Sequence, residues 1–151
     1  MRSKIRIAGH SLHPMLIAFP VAFYTAALAC YIAYDQKADL FWFKAALMAN
    51  VAGVAGAALA AIPGFIDWLF IPPKAGAKRV GFFHMICNVL ALTCYGIVAY
   101  TLSGKWNDPD PKLGLAIPLT AIGFLLTLIA GFLGWSMVQK HHIGVDDIPK
   151  S

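Results

Sequence analysis

Histidine is the side chain best suited to hold a metal ion or move a proton near neutral pH, and this chain distributes its five histidines unevenly. His10 and His13 sit where a basic tail meets the first apolar run, in Gly9-His10-Ser11-Leu12-His13-Pro14-Met15; His84 opens a later run, and His141 and His142 follow the last. As paired imidazoles from two helices, His13 and His84 could hold a haem iron axially, as four-helix membrane cytochromes do. Arg79 and Lys140, with Lys78 and Arg6, would then meet the propionates. A second chemistry adds Asp67 and His141 to the two imidazoles, giving a His/carboxylate site for Zn, Fe or Cu. The plain alternative is boundary chemistry. There His13 caps the first span, Asp67 bonds His84 or Arg79, and His141-His142 are solvated where a helix C-terminus favours positive charge. His10 reads as a solvated tail residue.

Long apolar segments must position these groups. The chain has 151 residues, 60% of them apolar and 13% charged, with a mean hydropathy of +0.70. That balance is far from a soluble domain's and implies one integral membrane domain. Four spans can be read, over residues 14–34, 44–70, 80–102 and 113–138, each with the ~20 apolar residues that cross ~30 Å of hydrocarbon. The expected fold is an all-α four-transmembrane-helix bundle with short connectors. Trp42, Trp68, Trp106 and Trp135 fall near span ends, where interfacial aromatics belong. Arg2, Lys4 and Arg6 ahead of an apolar run also suit a signal peptide, but the run exceeds the h-region of such a leader, so the first span is read as retained.

Eight Lys and Arg residues fall on the side of the termini and the middle connector (Arg2, Lys4, Arg6, Lys74, Lys78, Arg79, Lys140, Lys150) and four on the other. The excess places both termini in the cytoplasm. The +5 net charge lies in short connectors with no basic helix, so nucleic acid is not an expected partner. Cys30, Cys87 and Cys94 lie inside apolar runs, odd in number and without CxxC spacing, and read as small buried hydrophobes.

Gly56, Ala60 and Gly64 form a small-residue stripe that lets membrane helices approach closely, and Gly123, Ala130 and Gly134 form another. Asp67 continues the first stripe and should point inward, while His84, Asn88 and Tyr95 share a polar strip. Pro63 and Pro118 could kink their helices. Gly64-Phe65-Ile66-Asp67-Trp68 resembles Gly131-Phe132-Leu133-Gly134-Trp135, and His13 and His84 open their spans alike. Two duplicated hairpins about a pseudo-two-fold along the membrane normal are one reading, and chance similarity between apolar helices is the other.

No phosphate loop, HExxH or nucleophile elbow is present, so an enzyme is signalled only if a bound haem makes the protein a membrane oxidoreductase. Leu12-His13-Pro14-Met15-Leu16-Ile17 with Phe19-Pro20, then Gly64-Phe65-Ile66-Asp67-Trp68, then His84 with Asn88 and the Lys140-His141…Gly144-Val145 tail resemble a bacterial family of small predicted membrane proteins of unknown function. The resemblance implies four spans and a bacterial inner-membrane home, and carries no activity. The family pattern has a histidine where this chain has Ala18, and a glycine where it has His142. His13, Asp67, His84 and His141 remain as candidate positions. The functional expectation is a haem b or metal-binding protein for electron transfer or redox sensing, with a redox partner. The alternative is a structural subunit of a larger membrane complex, or of a homo-oligomer, resting on the small-residue faces.

Overall fold

A computed structural model of the chain describes residues 3–145; Arg2 and Lys150, counted above for orientation, lie outside the described residues. The chain begins with a two-residue-loop hairpin, β1 (Arg6–Ile7) and β2 (His10–Ser11), pairing Arg6 with Ser11 and Ile7 with His10. Its turn residues Ala8 (φ 48°) and Gly9 (φ 84°) both take positive φ, which matches the right-handed twist of the two strands. The helices are α1 (Leu12–Leu16), α2 (Ala18–Lys37), α3 (Leu40–Leu69), α4 (Gly76–Ser103) and α5 (Ala116–His141).

Proline explains the local geometry. Pro14 stands in the first turn of α1, where its missing N–H has no partner to lose. Pro20 cannot donate to the carbonyl of Leu16, and the helix breaks at Ile17 between α1 and α2. Pro63 is buried inside α3, which runs through it uninterrupted. Pro118 lies in the first turn of α5, so no intrahelical bond is lost there and no kink is needed.

The helix ends depart from the expected spans: α2 and α4 reach beyond theirs, and α5 is shifted, running Ala116–His141 instead of 113–138. α3 starts at Leu40 and absorbs the Phe41-Trp42-Phe43 entry, because Asp39 caps it by accepting the Phe41 N–H at 2.9 Å. Four crossings, α1–α2 together, α3, α4 and α5, are long and apolar enough to span a bilayer. Only 17–28% of their apolar stretches is buried within the bundle, which leaves side chains such as Leu59, Leu125 and Phe132 facing outward, as helices solvated by lipid require.

Helix α2 packs on α3, α3 on α4, α4 on α5, and α5 back on α2. Thus α2 and α4 occupy one diagonal of the bundle, and α3 and α5 the other. Tyr24, Ala27, Tyr31, Phe43, Leu47, Tyr95, Val98 and Leu102 form the core, concentrated in the half away from the histidines. There Tyr24 and Tyr95 stack across the α2–α4 diagonal with ring centroids 3.6 Å apart.

Candidate functional site

His13 comes from α1 and His84 from α4, and their rings meet edge-on with centroids 6.2 Å apart. Each places Nδ1 2.8 Å from a backbone carbonyl, His13 on Ala60 O of α3 and His84 on Ala130 O of α5. A carbonyl can only accept, so Nδ1 carries the hydrogen in both rings. In the neutral ring Nε2 is then the lone-pair nitrogen. Around His84 that lone pair faces Asn88 Nδ2 at 3.1 Å, and the same amide also donates to His84 O at 2.9 Å.

Glycine makes both approaches possible. A Cβ at Gly64 would sit 2.7 Å from His13 Cε1 and Nδ1, and one at Gly134 would sit 3.3 Å from His84 Cε1. Three helical turns deeper the device recurs with tyrosine. A Cβ at Gly53 would meet Tyr24 Cδ1 at 2.6 Å, and one at Gly123 would meet Tyr95 Cε2 at 2.7 Å. His84 and Tyr95 follow His13 and Tyr24 by 71 positions, while Gly123, Ala130 and Gly134 follow Gly53, Ala60 and Gly64 by 70. Each hairpin therefore repeats one pattern, a His and a Tyr eleven residues apart seated in glycine hollows of the next helix.

The repeat runs in a different register from the one the aromatic motifs suggest. Gly64 corresponds to Gly134, not Gly131. The Phe65–Trp68 and Phe132–Trp135 pairs that make the motifs look alike are stacked rings, outward-facing except for Trp68, which lies half-buried against Gly81 of α4 with its Nε1–H on Lys78 O. Ring seats in the interior fix the true correspondence.

The other expected site residues are placed elsewhere. Asp67 does not reach His84 or Arg79; its carboxylate accepts Ser3 Oγ–H and the Lys4 N–H, both at 2.6 Å. Its helical spacing gives its face correctly, but the last turn of α3 lies against the N-terminal segment instead of the imidazoles. The Arg79 guanidinium sits 6.0 Å from the Phe83 ring centroid. Lys140 is exposed in the last turn of α5, and His141 packs near Gly76 at the start of α4. His10, expected as a free tail residue, is held in the hairpin with Nδ1 3.0 Å from Ala8 O. Among the described residues, no three of His, Cys, Asp or Glu converge in a way that could hold a metal ion. The four-residue set of His13, Asp67, His84 and His141 is thus not assembled.

The remaining pair can still do chemistry. Two imidazoles meet here, each oriented by an Nδ1–H bond to a carbonyl, the outer-shell contact that metal-ligating histidines require. Sequence reasoning misses Asn50 and Thr120, which join the internal network of Tyr95, a residue already placed on the polar strip. Tyr95 Oη–H lies within hydrogen-bonding distance of Tyr24 O (3.2 Å) and Thr120 O (3.1 Å), and Asn50 Nδ2 donates to Tyr95 O at 3.2 Å. The repeated Gly-x6-Ala-x3-Gly spacing was the signal that could have found the seats.

No curated protein and no solved structure matches the chain. A protein-family model described as "Predicted membrane protein (DUF2231)" matches residues 9–147, nearly the whole bundle with its histidine pair, and the chain belongs to that family of membrane proteins.

Proposed function

We propose that His13 and His84 hold a haem b through their Nε2 atoms, in a small multi-pass membrane protein of electron transfer or redox sensing. The observation that carries this reading is the convergence of two imidazoles from equivalent places in two hairpins, each fixed as the Nδ1–H tautomer by a backbone carbonyl. The donor set fits: axial ligation takes two neutral imidazoles, whereas a structural zinc cage takes four ligands, and no third candidate ligand joins the pair among the described residues. His84 would exchange its Asn88 bond for iron, while His13 would ligate without giving up Ala60. Arg79 and Lys140, at the same end of the bundle, are the partners for propionates. A bound haem would supply a one-electron couple. The excess of Lys and Arg at this end supports a site on the cytoplasmic face, in what the family resemblance suggests is a bacterial inner membrane.

The absorption spectrum of the purified protein tests the reading. A Soret band with sharp reduced α and β bands is expected, and His13→Ala or His84→Ala should abolish it. A colourless preparation containing Zn, Fe or Cu by elemental analysis would replace haem with a metal ion. Neither colour nor metal, with a stoichiometric partner co-purifying, would make the protein a structural subunit of a larger complex.

A further inference from the structure

Residues 3–11 lie at the end of the bundle that carries the histidine pair. One side is fastened to α3, where Ser3 Oγ–H and the Lys4 N–H reach the Asp67 carboxylate at 2.6 Å each, and the Lys4 ammonium lies 5.0 Å from the Phe70 ring centroid. The other side meets the chain just past α5, where Ser11 Oγ–H donates to Gly144 O at 3.3 Å. Helices α3 and α5 occupy opposite corners of the bundle. A segment fastened to both bridges this end of the bundle and leads at Leu12 straight into α1, which carries His13. The segment is a single piece, closed on itself by the β1–β2 pairing, by Arg6 Nε–H on Gly9 O at 2.9 Å, and by Leu12 N–H on Ile5 O at 3.0 Å.

Asp67 points the same way. A carboxylate in the last turn of a helix faces the negative end of the helix dipole and is unfavourable there. Its placement is explained by what it holds, not by the helix that carries it.

We infer that residues 3–11 are a lid, clasped by Asp67, that closes the aqueous mouth of the His13–His84 site. The inference goes beyond the haem reading and does not depend on what the histidines hold. The test follows modification of each histidine by diethyl pyrocarbonate, resolved by mass spectrometry, in protein reconstituted in nanodiscs. Asp67→Asn should accelerate labelling of His13 and His84 about tenfold, the change in opening expected on losing charge-assisted hydrogen bonds. Ser3→Ala, which removes one donor, should accelerate it less. His10, already exposed on the lid, serves as the internal standard. In a haem-loaded preparation the same opening is read as faster haem transfer to an acceptor apoprotein, so failure of the haem reading and failure of the lid are told apart. Unchanged rates in Asp67→Asn would overturn the lid. So would acceleration accompanied by equal loss of amide protection around Tyr24 and Tyr95, which marks general loosening.

Discussion

The two hairpins are built on one plan and finished differently. In both, a His and a Tyr of the first helix lie in glycine hollows of the second, and positions one repeat apart share their burial: Ala27 with Val98, Tyr31 with Leu102, Ala46 with Ala116, Asn50 with Thr120. The finish differs at the polar groups. Asn88 covers Nε2 of His84, while Ile17 stands at the corresponding position of the first hairpin. Tyr95 Oη has two carbonyl acceptors, whereas Tyr24 Oη is buried with no hydrogen-bond partner among the described residues. Asp67 ends the second helix of the first hairpin and Met137 takes its place in the other. Symmetry therefore resides in shape, the fit of ring into hollow. Asymmetry resides in hydrogen bonding. A duplicated backbone needs its close approaches kept in both copies, because without a hydrophobic drive between helices packing holds them together.

The largest expected effect keeps the comparison symmetric. Gly53→Ala and Gly123→Ala each force a Cβ to within 2.6–2.7 Å of a tyrosine ring that is stacked on the other. Neither ring can retreat. Both variants should lose about 1–3 kcal/mol, the usual cost of overpacking, in reversible unfolding by a denaturing detergent. Clearly unequal losses would break the equivalence of the two seats.

The next substitution pair should split the hairpins. At Gly64 a new Cβ meets the His13 ring at 2.7 Å, and that ring is pinned by its bond to Ala60. At Gly134 the contact with His84 is 3.3 Å, which a shift of a few tenths of an ångström relieves. Alanine also recovers up to about 1 kcal/mol of helix propensity over glycine. Gly64→Ala should destabilise by about 1–2 kcal/mol, and Gly134→Ala should change the same unfolding midpoint little.

Much of this is legible in the amino-acid sequence. The spans are written in apolar length, and the stripe Gly123, Ala130, Gly134 correctly marks a narrow helix face. The histidine pair was legible too, because two imidazoles opening parallel helices must arrive at one end. Spacing fixed Asp67's face but said nothing of which neighbour reaches it, since a last-turn residue rises to meet whatever crosses the bundle's end. That neighbour is a strap whose Ala8-Gly9 turn is only a weak hairpin signal in sequence. The register of the repeat is hidden because the Phe-x-x-Trp pairs resemble one another more than the Gly, Ala and Gly that seat the rings. Phe65, Phe132 and Trp135 face outward, where aromatics are free to recur by composition, whereas inward glycines are constrained by contact.

A smaller difference tests the asymmetry of hydrogen bonding. Tyr95→Phe removes a buried hydroxyl whose neighbours are the Tyr24 and Thr120 carbonyls, and should cost about 0.5–1.5 kcal/mol. Tyr24→Phe removes a hydroxyl that has no partner among the described residues and should be neutral or slightly stabilising. Both variants keep the ring stack, so the same unfolding assay compares only the hydroxyls. Equal costs would mean that the two tyrosines are bonded alike.

The smallest effect is expected at the connectors. The first hairpin turns through Ala38 and Asp39, and Asp39 is spent as the cap of α3. The second turns through a longer loop in which exposed Asp110 pairs with exposed Lys112, while Tyr34 Oη–H anchors the loop on Pro111 O at 3.1 Å. The hydrogen bond from Lys112 to Asp110 raises the lysine's pKa above its ordinary value. A raised lysine pKa contributes stability that is complete below the unfolded value and lost as pH climbs through the folded one, so the contribution is fully present at neutral pH. Both side chains are solvated, and an exposed ion pair of this kind is worth little. Asp110→Asn should therefore lower the Lys112 pKa, read by the pH dependence of its reductive methylation, without a measurable change in unfolding at pH 7. A clear loss of stability there would show that the loop is held by this pair and not by Tyr34.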